Sequence, residues 1–359
     1  MAIIVPIKTI TPVWTGDNER KTSYLRATGL LGGLRFWTEA LLRSLGEPVC
    51  SGTGNDRCIH DPGNPQGTCA ACQIFGCAGL GRGFTLKVAN EQPDHHGNRS
   101  EAIGKVELRY TRITSRGKKQ TPEWPLNDPG LVGEFSLIFS SLRPSGGNSA
   151  DAPSFGASLD RRLALALHLL LHWGMLGAKD QYGYGLVRVA GPEEQLAALW
   201  RGALARVASD HTPSISDYPS LRDFFFFSGR VNKERLPIRT KWEDYIRVVP
   251  FEIRYQVRNG LRDERDLRHY FCGAIEGNKR LATRFNMGFD GTTIYGWGHF
   301  PSAGQWANKR DRCLDLLKTK LDESCTHASW KEFDSHRDTC VSKSKWHGFL
   351  HELANYLWR

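Results

Sequence analysis

The sequence has no apolar run approaching the roughly 20 residues that a membrane-crossing helix needs. Its N-terminus, MAIIVPIKTITPVW, carries no basic segment ahead of its apolar residues and is broken by Pro6 and Lys8. These absences exclude a helical membrane protein and a secretory leader as readings, so the expectation is a cytoplasmic protein. No histidine precedes His60, so the first strand and first helix cannot supply an imidazole base. Acidic residues are the minority, 38 against 48 Lys plus Arg, leaving a formal charge of +10. That excess favours a polyanionic partner without proving one. With 40% hydrophobic and 24% charged residues the composition is that of an ordinary globular protein, and 359 residues suffice for two domains with separate cores.

Cysteine is plentiful and unevenly placed: nine residues, five of them between positions 50 and 77. In a reducing compartment such crowding points to a metal rather than to disulfides. Cys69 and Cys72 form a C-x2-C pair whose bite suits one tetrahedral zinc, and Cys50 and Cys58 can complete a four-thiolate set. His60, two residues beyond Cys58, is an alternative ligand, while Cys77 is placed outside the site. Four protein ligands leave no open position, so such a zinc is structural. The H-x-E that accompanies C-x-x-C in nucleobase deaminases is also absent upstream. The Gly-, Pro- and Cys-rich stretch 46–83 is long for an irregular loop in a compact domain, and a metal cross-link would account for it.

Hydrophobic patterning supplies the elements. Residues 3–14 read as a strand ending in the turn Thr15-Gly16-Asp17-Asn18. From Leu25 to Leu45, Leu30, Leu34, Trp37, Leu41 and Leu45 recur at helical spacing. Strands are expected at 84–89, 105–113 and 133–140, a buried helix over 159–176 with Ser158 as N-cap, and a strand at 186–190. The order is that of a ferredoxin-like, RRM-type βαββαβ domain spanning 1–191, with the insertion 46–83. A helical connector follows at 192–220. Residues 221–359 are expected to hold a second, degenerate unit with a strand at 247–257, a helix at 263–275, strands at 280–288 and 292–300, and helices at 309–323 and 346–358. The run Phe224–Phe227 is assigned to a core strand. The fold class is therefore α+β: two ferredoxin-like domains in tandem, a zinc-stabilised loop and C-terminal helices.

Two glycine-rich stretches stand out. Gly29, Gly32 and Gly33 crowd the start of the first helix, where glycine costs roughly 1 kcal/mol and unpaired N–H groups favour an anion. Arg26 and Arg35 add fixed charge, although a close helix–strand contact explains the same glycines. In Gly177–Gly185, Gly177, Gly183 and Gly185 let backbone N–H groups face a ligand, Lys179 adds charge, and Tyr182 or Tyr184 offers a ring. A plain helix C-cap explains Gly177 equally well. The basic cluster Arg109, Arg112, Arg116, Lys118 and Lys119 suits a phosphate-contacting edge or a solvated loop, and Asp94-His95-His96 is read as solvent-exposed.

Taken jointly, ITPVWTG, LRATGLLGGLRFW, CAACQIFGC and GAKDQYGYGLVRV resemble the RAMP superfamily of CRISPR proteins. With IRYQVR, FCG and FNMGFDGTTIYGWGHF, the chain is most similar to the first Cmr subunit of type III-B effector complexes, over roughly residues 3–300. The resemblance implies two fused RRM-like folds, no independent catalysis, and assembly on guide RNA near its 3′ end beside other Cmr subunits, with guide or target RNA as the contact. The RNA surface expected is Lys8, Arg26, Gly32, Gly33, Arg35, Gly177, Lys179, Gly183, Tyr184 and Gly185. An alternative is a RAMP endoribonuclease maturing guide RNA with a histidine base, against which the missing early histidine argues. A third reading is a zinc-stabilised module that binds only protein. Asp17 is the acidic residue nearest the position used for cleavage in related backbone subunits, and a turn role is the simpler one for it.

Overall fold

The structure is a computed structural model. It describes residues 2–16, 24–52, 56–64, 67–89, 103–106, 112–113, 119–120, 130–142, 161–190, 218–232, 234–236, 245–276, 279–338 and 346–355. The connector 192–220 lies almost wholly outside them, as do Ser158, Asp17, Asp94, His95 and His96 and the side chains of Arg109, Arg112, Arg116, Lys118 and Lys119.

The first unit runs β1 (Ala2–Thr9), α1 (Ala27–Ser44), α2 (Ala70–Phe75), β2 (Phe84–Ala89), β3 (Ile103–Val106), β4 (Arg112–Ile113), β5 (Lys119–Gln120), β6 (Gly130–Ser141), α3 (Arg161–His172) and β7 (Val187–Val189). Its antiparallel sheet has the order β2-β6-β1-β7, with β3 pairing on β6. Alternation in β1 turns Ile3, Val5 and Ile7 inward and leaves Ile4 and Lys8 exposed on the outer face. The inward side packs against α1 and α3, and Leu30, Leu34, Trp37 and Leu41 form the buried stripe of α1.

The second unit runs β8 (Phe224–Val231), α4 (Tyr245–Gly260), α5 (Arg265–Cys272), β9 (Ala274–Glu276), β10 (Lys279–Leu281), β11 (Phe285–Phe289), β12 (Thr293–His299), α6 (Arg310–Ser324), β13 (Cys325–Glu332) and α7 (Trp346–Asn355). Its main sheet has the order β11-β12-β8-β13, all antiparallel. Setting β8, β11, β12 and β13 against β1, β2, β6 and β7 gives the same strand order, so the fold is a tandem of ferredoxin-like units although no residue-level repeat is visible.

The expected strand at 247–257 is instead the helix α4. Its valines and isoleucine favour a strand by residue type, but Val249, Ile253 and Val257 are spaced four apart, and all three are buried on one helical face. Strand β13 falls outside the expected elements, because Cys325–Glu332 mixes charged and apolar residues without clean alternation. Helix α2 lies unannounced inside the cysteine-rich stretch.

Strand β8 reads as an unbroken aromatic run because both of its faces are covered. Phe224 and Phe226 meet Trp37 of α1 at centroid distances of 5.4 and 6.2 Å, and Phe226 meets Trp173 at 4.9 Å. On the opposite face Phe225 and Phe227 stack with Trp330 of β13 at 5.3 and 5.8 Å. At the end of β13, Glu332 accepts hydrogen bonds from Arg310, Arg337, Trp330 and Ser335. Burial opposes its charge, but these donors hold its carboxyl at about 2.

Trp37 thus joins the first unit's helix layer to the second unit's sheet, also lying 5.0 Å from Trp297. Trp37→Ala is expected to lower stability by about 3–5 kcal/mol, because the cavity opens where neither unit can collapse independently. Chemical denaturation followed by tryptophan fluorescence and by circular dichroism measures it.

Candidate metal centre and basic surface

The four cysteines expected to bind zinc converge. The sulfurs of Cys50, Cys58, Cys69 and Cys72 all lie within 4.8 Å of one another. A tetrahedron with metal–sulfur bonds of about 2.3 Å has edges of about 3.8 Å, and Cys50 Sγ lies 3.6 Å from Cys72 Sγ. The local folding explains the convergence. Cys69 caps α2 and Cys72 sits in its first turn, so a spacing of three places both sulfurs on one side, and Cys50 and Cys58 arrive from the preceding loop. The backbone N–H of Cys69 points at Cys58 Sγ at 3.4 Å. His60 is not a member of the group; its Nδ1 lies 3.3 Å from Thr68 Oγ1. Cys77 is also outside it, with its sulfur toward the carbonyl of Ala78. The donor set therefore fits a thiophilic dication with no vacant coordination position.

The packing of the sulfurs also governs their protonation. Burial, then the neighbouring sulfurs, pushes Cys58 up to about 11 and Cys72 further still. Burial also works against ionising Cys50, yet the N–H of Cys58 and the Cys72 thiol together hold it below the ordinary thiol range. Protons share the site when no metal does, and a metal must displace them.

The two glycine-rich stretches come together on the segment after β1. Thr15 Oγ1 accepts from the N–H of Arg26 at 2.8 Å, and a Cβ at Gly29 would lie 3.1 Å from Thr15 Cβ. Trp14 pairs with Gly177 and Ala178, and Lys179 Nζ lies 4.3 Å from the centre of the Trp14 ring. Lys179 is held at φ 63°, a left-handed conformation uncommon outside glycine. Gly32 and Gly33 face open space, since a Cβ at either would meet no atom within 4 Å. The close-contact explanation thus holds for Gly29 and not for its two neighbours.

Several expected contacts are corrected. Tyr184 is fully buried beside Gly130, so it offers no face for a base. Gly177 and Gly185 adopt φ of 91° and 89°, and Cβ atoms there would lie 2.6 Å from the Trp14 carbonyl and 2.4 Å from that of Leu176. Gly183 faces the Met287 carbonyl and Pro250 of the second unit. These three glycines serve the chain's own packing. Lys8 belongs to the outer sheet face, turned away from α1, and pairs with Glu134 at 2.6 Å, which draws that carboxyl below its ordinary range. Arg35 is turned to the cysteines, with Nη2 at 3.6 Å from Cys72 Sγ and Nε at 2.8 Å from Glu39. What remains beside Lys179 and Arg26 is a ring that the patterning passed over. Tyr24 is 41% exposed and lies under the Arg26 guanidinium at 4.6 Å. Its place beside Arg26, just ahead of the helix, is the signal that could have found it.

Two units of one strand order, an insertion whose four cysteines converge and a basic edge where the first helix meets a glycine turn define a duplicated ferredoxin-like protein. The family model described as the RAMP superfamily matches residues 6–188, just over half of the 359. The chain belongs to the RAMP superfamily. No curated protein sequence matches it. Among solved structures it is similar to Cmr1 from Pyrococcus furiosus in its apo form, with 14% identity over 92% of this chain and 98% of that one, at a TM-score of 0.44. A second similar structure is a chain of the type III-B Cmr-beta complex bound to cognate target RNA and AMPPnP in the presence of ssDNA. There the identity is 10% over 89% and 99% of the two chains, at a TM-score of 0.46. Among the described residues, no helix is long and apolar enough to cross a membrane.

Cobalt(II) added to metal-free protein is expected to give the absorption of one tetrahedral thiolate site per chain. Cys69→Ser or Cys72→Ser should abolish it, whereas Cys77→Ser should leave it unchanged.

Proposed function

We propose that this RAMP protein is a non-catalytic RNA-holding subunit of a type III-B Cmr ribonucleoprotein, acting in the cytoplasm in antiviral defence. It binds guide RNA near its 3′ end, or the target RNA paired to it, and sits beside other Cmr subunits. One structural zinc, held by Cys50, Cys58, Cys69 and Cys72, pins the insertion and takes no part in chemistry. The metal's contribution is a cross-link between distant parts of a long loop.

The observation that carries the RNA reading is the convergence of two elements on Trp14 and Thr15. The start of α1 arrives with Arg26, Tyr24 and the uncovered Gly32 and Gly33, and the Gly177 turn arrives with Lys179. Guanidinium and ammonium groups attract phosphates, the positive end of the helix dipole adds to them, and the exposed tyrosine provides a stacking face tolerant of any base. Bare glycine backbone lets the sugar–phosphate chain approach closely. The formal charge of +10 supports the same partner class. A non-catalytic role is supported by the absence of histidine before His60, which denies this surface an imidazole base from the first strand and helix.

Binding of single-stranded RNA measured over a series of salt concentrations tests the proposal. The double variant Arg26→Ala, Lys179→Ala is expected to lower the salt slope by about 2, since each phosphate left without its cation removes about one unit. Tyr24→Ala should weaken binding roughly 5- to 100-fold with the slope kept, the size of one base stack. Lys8→Ala should change neither, and an effect confined to Lys8 would move the RNA to the outer sheet face.

A further inference from the structure

The cysteine cluster poses an electrostatic problem that its ligands do not solve. A dication bound by four thiolates keeps a net charge of −2, and it is placed here partly out of water, with Cys50 and Cys72 buried. Backbone N–H groups ease this, as that of Cys69 does at Cys58. Among the described residues, the cationic side chain shown in contact with one of these sulfurs is Arg35 of α1, with Nη2 at 3.6 Å from Cys72 Sγ.

The guanidinium is held there from behind. Its Nε donates to Glu39 Oε1 at 2.8 Å, one helical turn on. The other oxygen of Glu39 accepts from Arg43 Nη2 at 3.2 Å, and Arg43 Nη1 donates to the carbonyl of Pro219 at 3.2 Å. Three charged residues spaced four apart thus form a rail along one side of α1 and leave Arg35 facing the insertion. The Phe75 ring of α2 stands 6.0 Å from the same guanidinium. A guanidinium stays ionised across the pH range of a folded protein, so Arg35 is cationic at the sulfur.

We propose that Arg35 is a positioning residue for the metal centre: it donates an N–H to the Cys72 thiolate and offsets the cluster's charge. It thereby fastens the cysteine-rich insertion to the helix on which both units pack. The inference rests on the reading that the four cysteines hold zinc. It also assigns to the metal a side chain whose sequence position suggested RNA.

The test uses the full-length, zinc-loaded protein and its Arg35→Ala, Arg35→Lys and Glu39→Gln variants. Transfer of zinc to a chromogenic chelator is followed, and the cobalt-substituted proteins are examined by absorption. Removing a partner beside a metal ligand typically weakens metal binding about 10- to 100-fold, and Arg35→Ala is expected to fall in that range. Arg35→Lys, which keeps the charge on a shorter donor, should recover part of the loss. The thiolate-to-cobalt charge-transfer band should move to lower energy in Arg35→Ala, because a hydrogen bond to sulfur has been removed. A fold defect alone would not produce that shift in protein retaining its helical circular dichroism. Should Arg35→Ala not fold, Glu39→Gln carries the test, since it keeps the cation but loosens its aim and should speed zinc release. Wild-type protein that takes up no zinc would refute the reading beneath the inference. Zinc held equally well by wild type and all three variants, with an unmoved charge-transfer band, would overturn the inference and leave the zinc site standing.

Discussion

Burial of one stripe of α1 between two sheets is the constraint on which the rest of the structure depends. Leu30, Leu34 and Leu41 close the first unit's core, while Trp37 reaches past it to Phe224, Phe226 and Trp297 of the second. A helix fixed by its apolar face in this way has no rotational freedom left. Its other sides are then assigned by geometry: Arg35, Glu39 and Arg43 run along the side toward the cysteines and Pro219, and Gly32 and Gly33 look outward. The placement of Arg26 and Tyr24 follows from where the same helix begins.

Much of this is legible in the chain because hydrophobic spacing reports burial directly. Helix α1, strand β2 and helix α3 lie close to where period and composition put them, and the Phe224–Phe227 run is core as expected. The reading fails where residue type and period disagree. In α4 the valines and isoleucine pull toward a strand, and the spacing of four that decides the outcome is carried by only three buried positions. Helix α2 hides in a stretch whose glycines and prolines announce a loop, since six residues are too few to show a period.

The candidate site divides in the same way. The cysteine pair of α2 is readable because C-x2-C spacing fixes its geometry locally, whereas the arrival of Cys50 and Cys58, and the exclusion of His60, need three dimensions. Glycine is ambiguous in sequence, since open backbone for a ligand and close approach to the chain's own carbonyls call for the same residue. Gly32 and Gly33 face open space, whereas Gly177 and Gly185 lie against the chain's own carbonyls. Tyr184 and Tyr24 cannot be told apart without the fold, which buries one and leaves the other beside Arg26. Lys8 and Arg35 are long, charged and near the right elements, and their direction is set by strand parity and by Glu39.

These features together make α1 a hub, with the two cores along its buried stripe, the cysteine cluster of the insertion along one side and the proposed RNA surface at its start. Backbone hydrogen exchange, compared with and without bound single-stranded RNA on the zinc-loaded chain, addresses that arrangement most directly. Slowed exchange is predicted in peptides covering residues 24–33 and 177–179 and none in β1, whose exposed side chains lie on the outer sheet face. Protection confined to β1 and β6, or to the second unit, would contradict it.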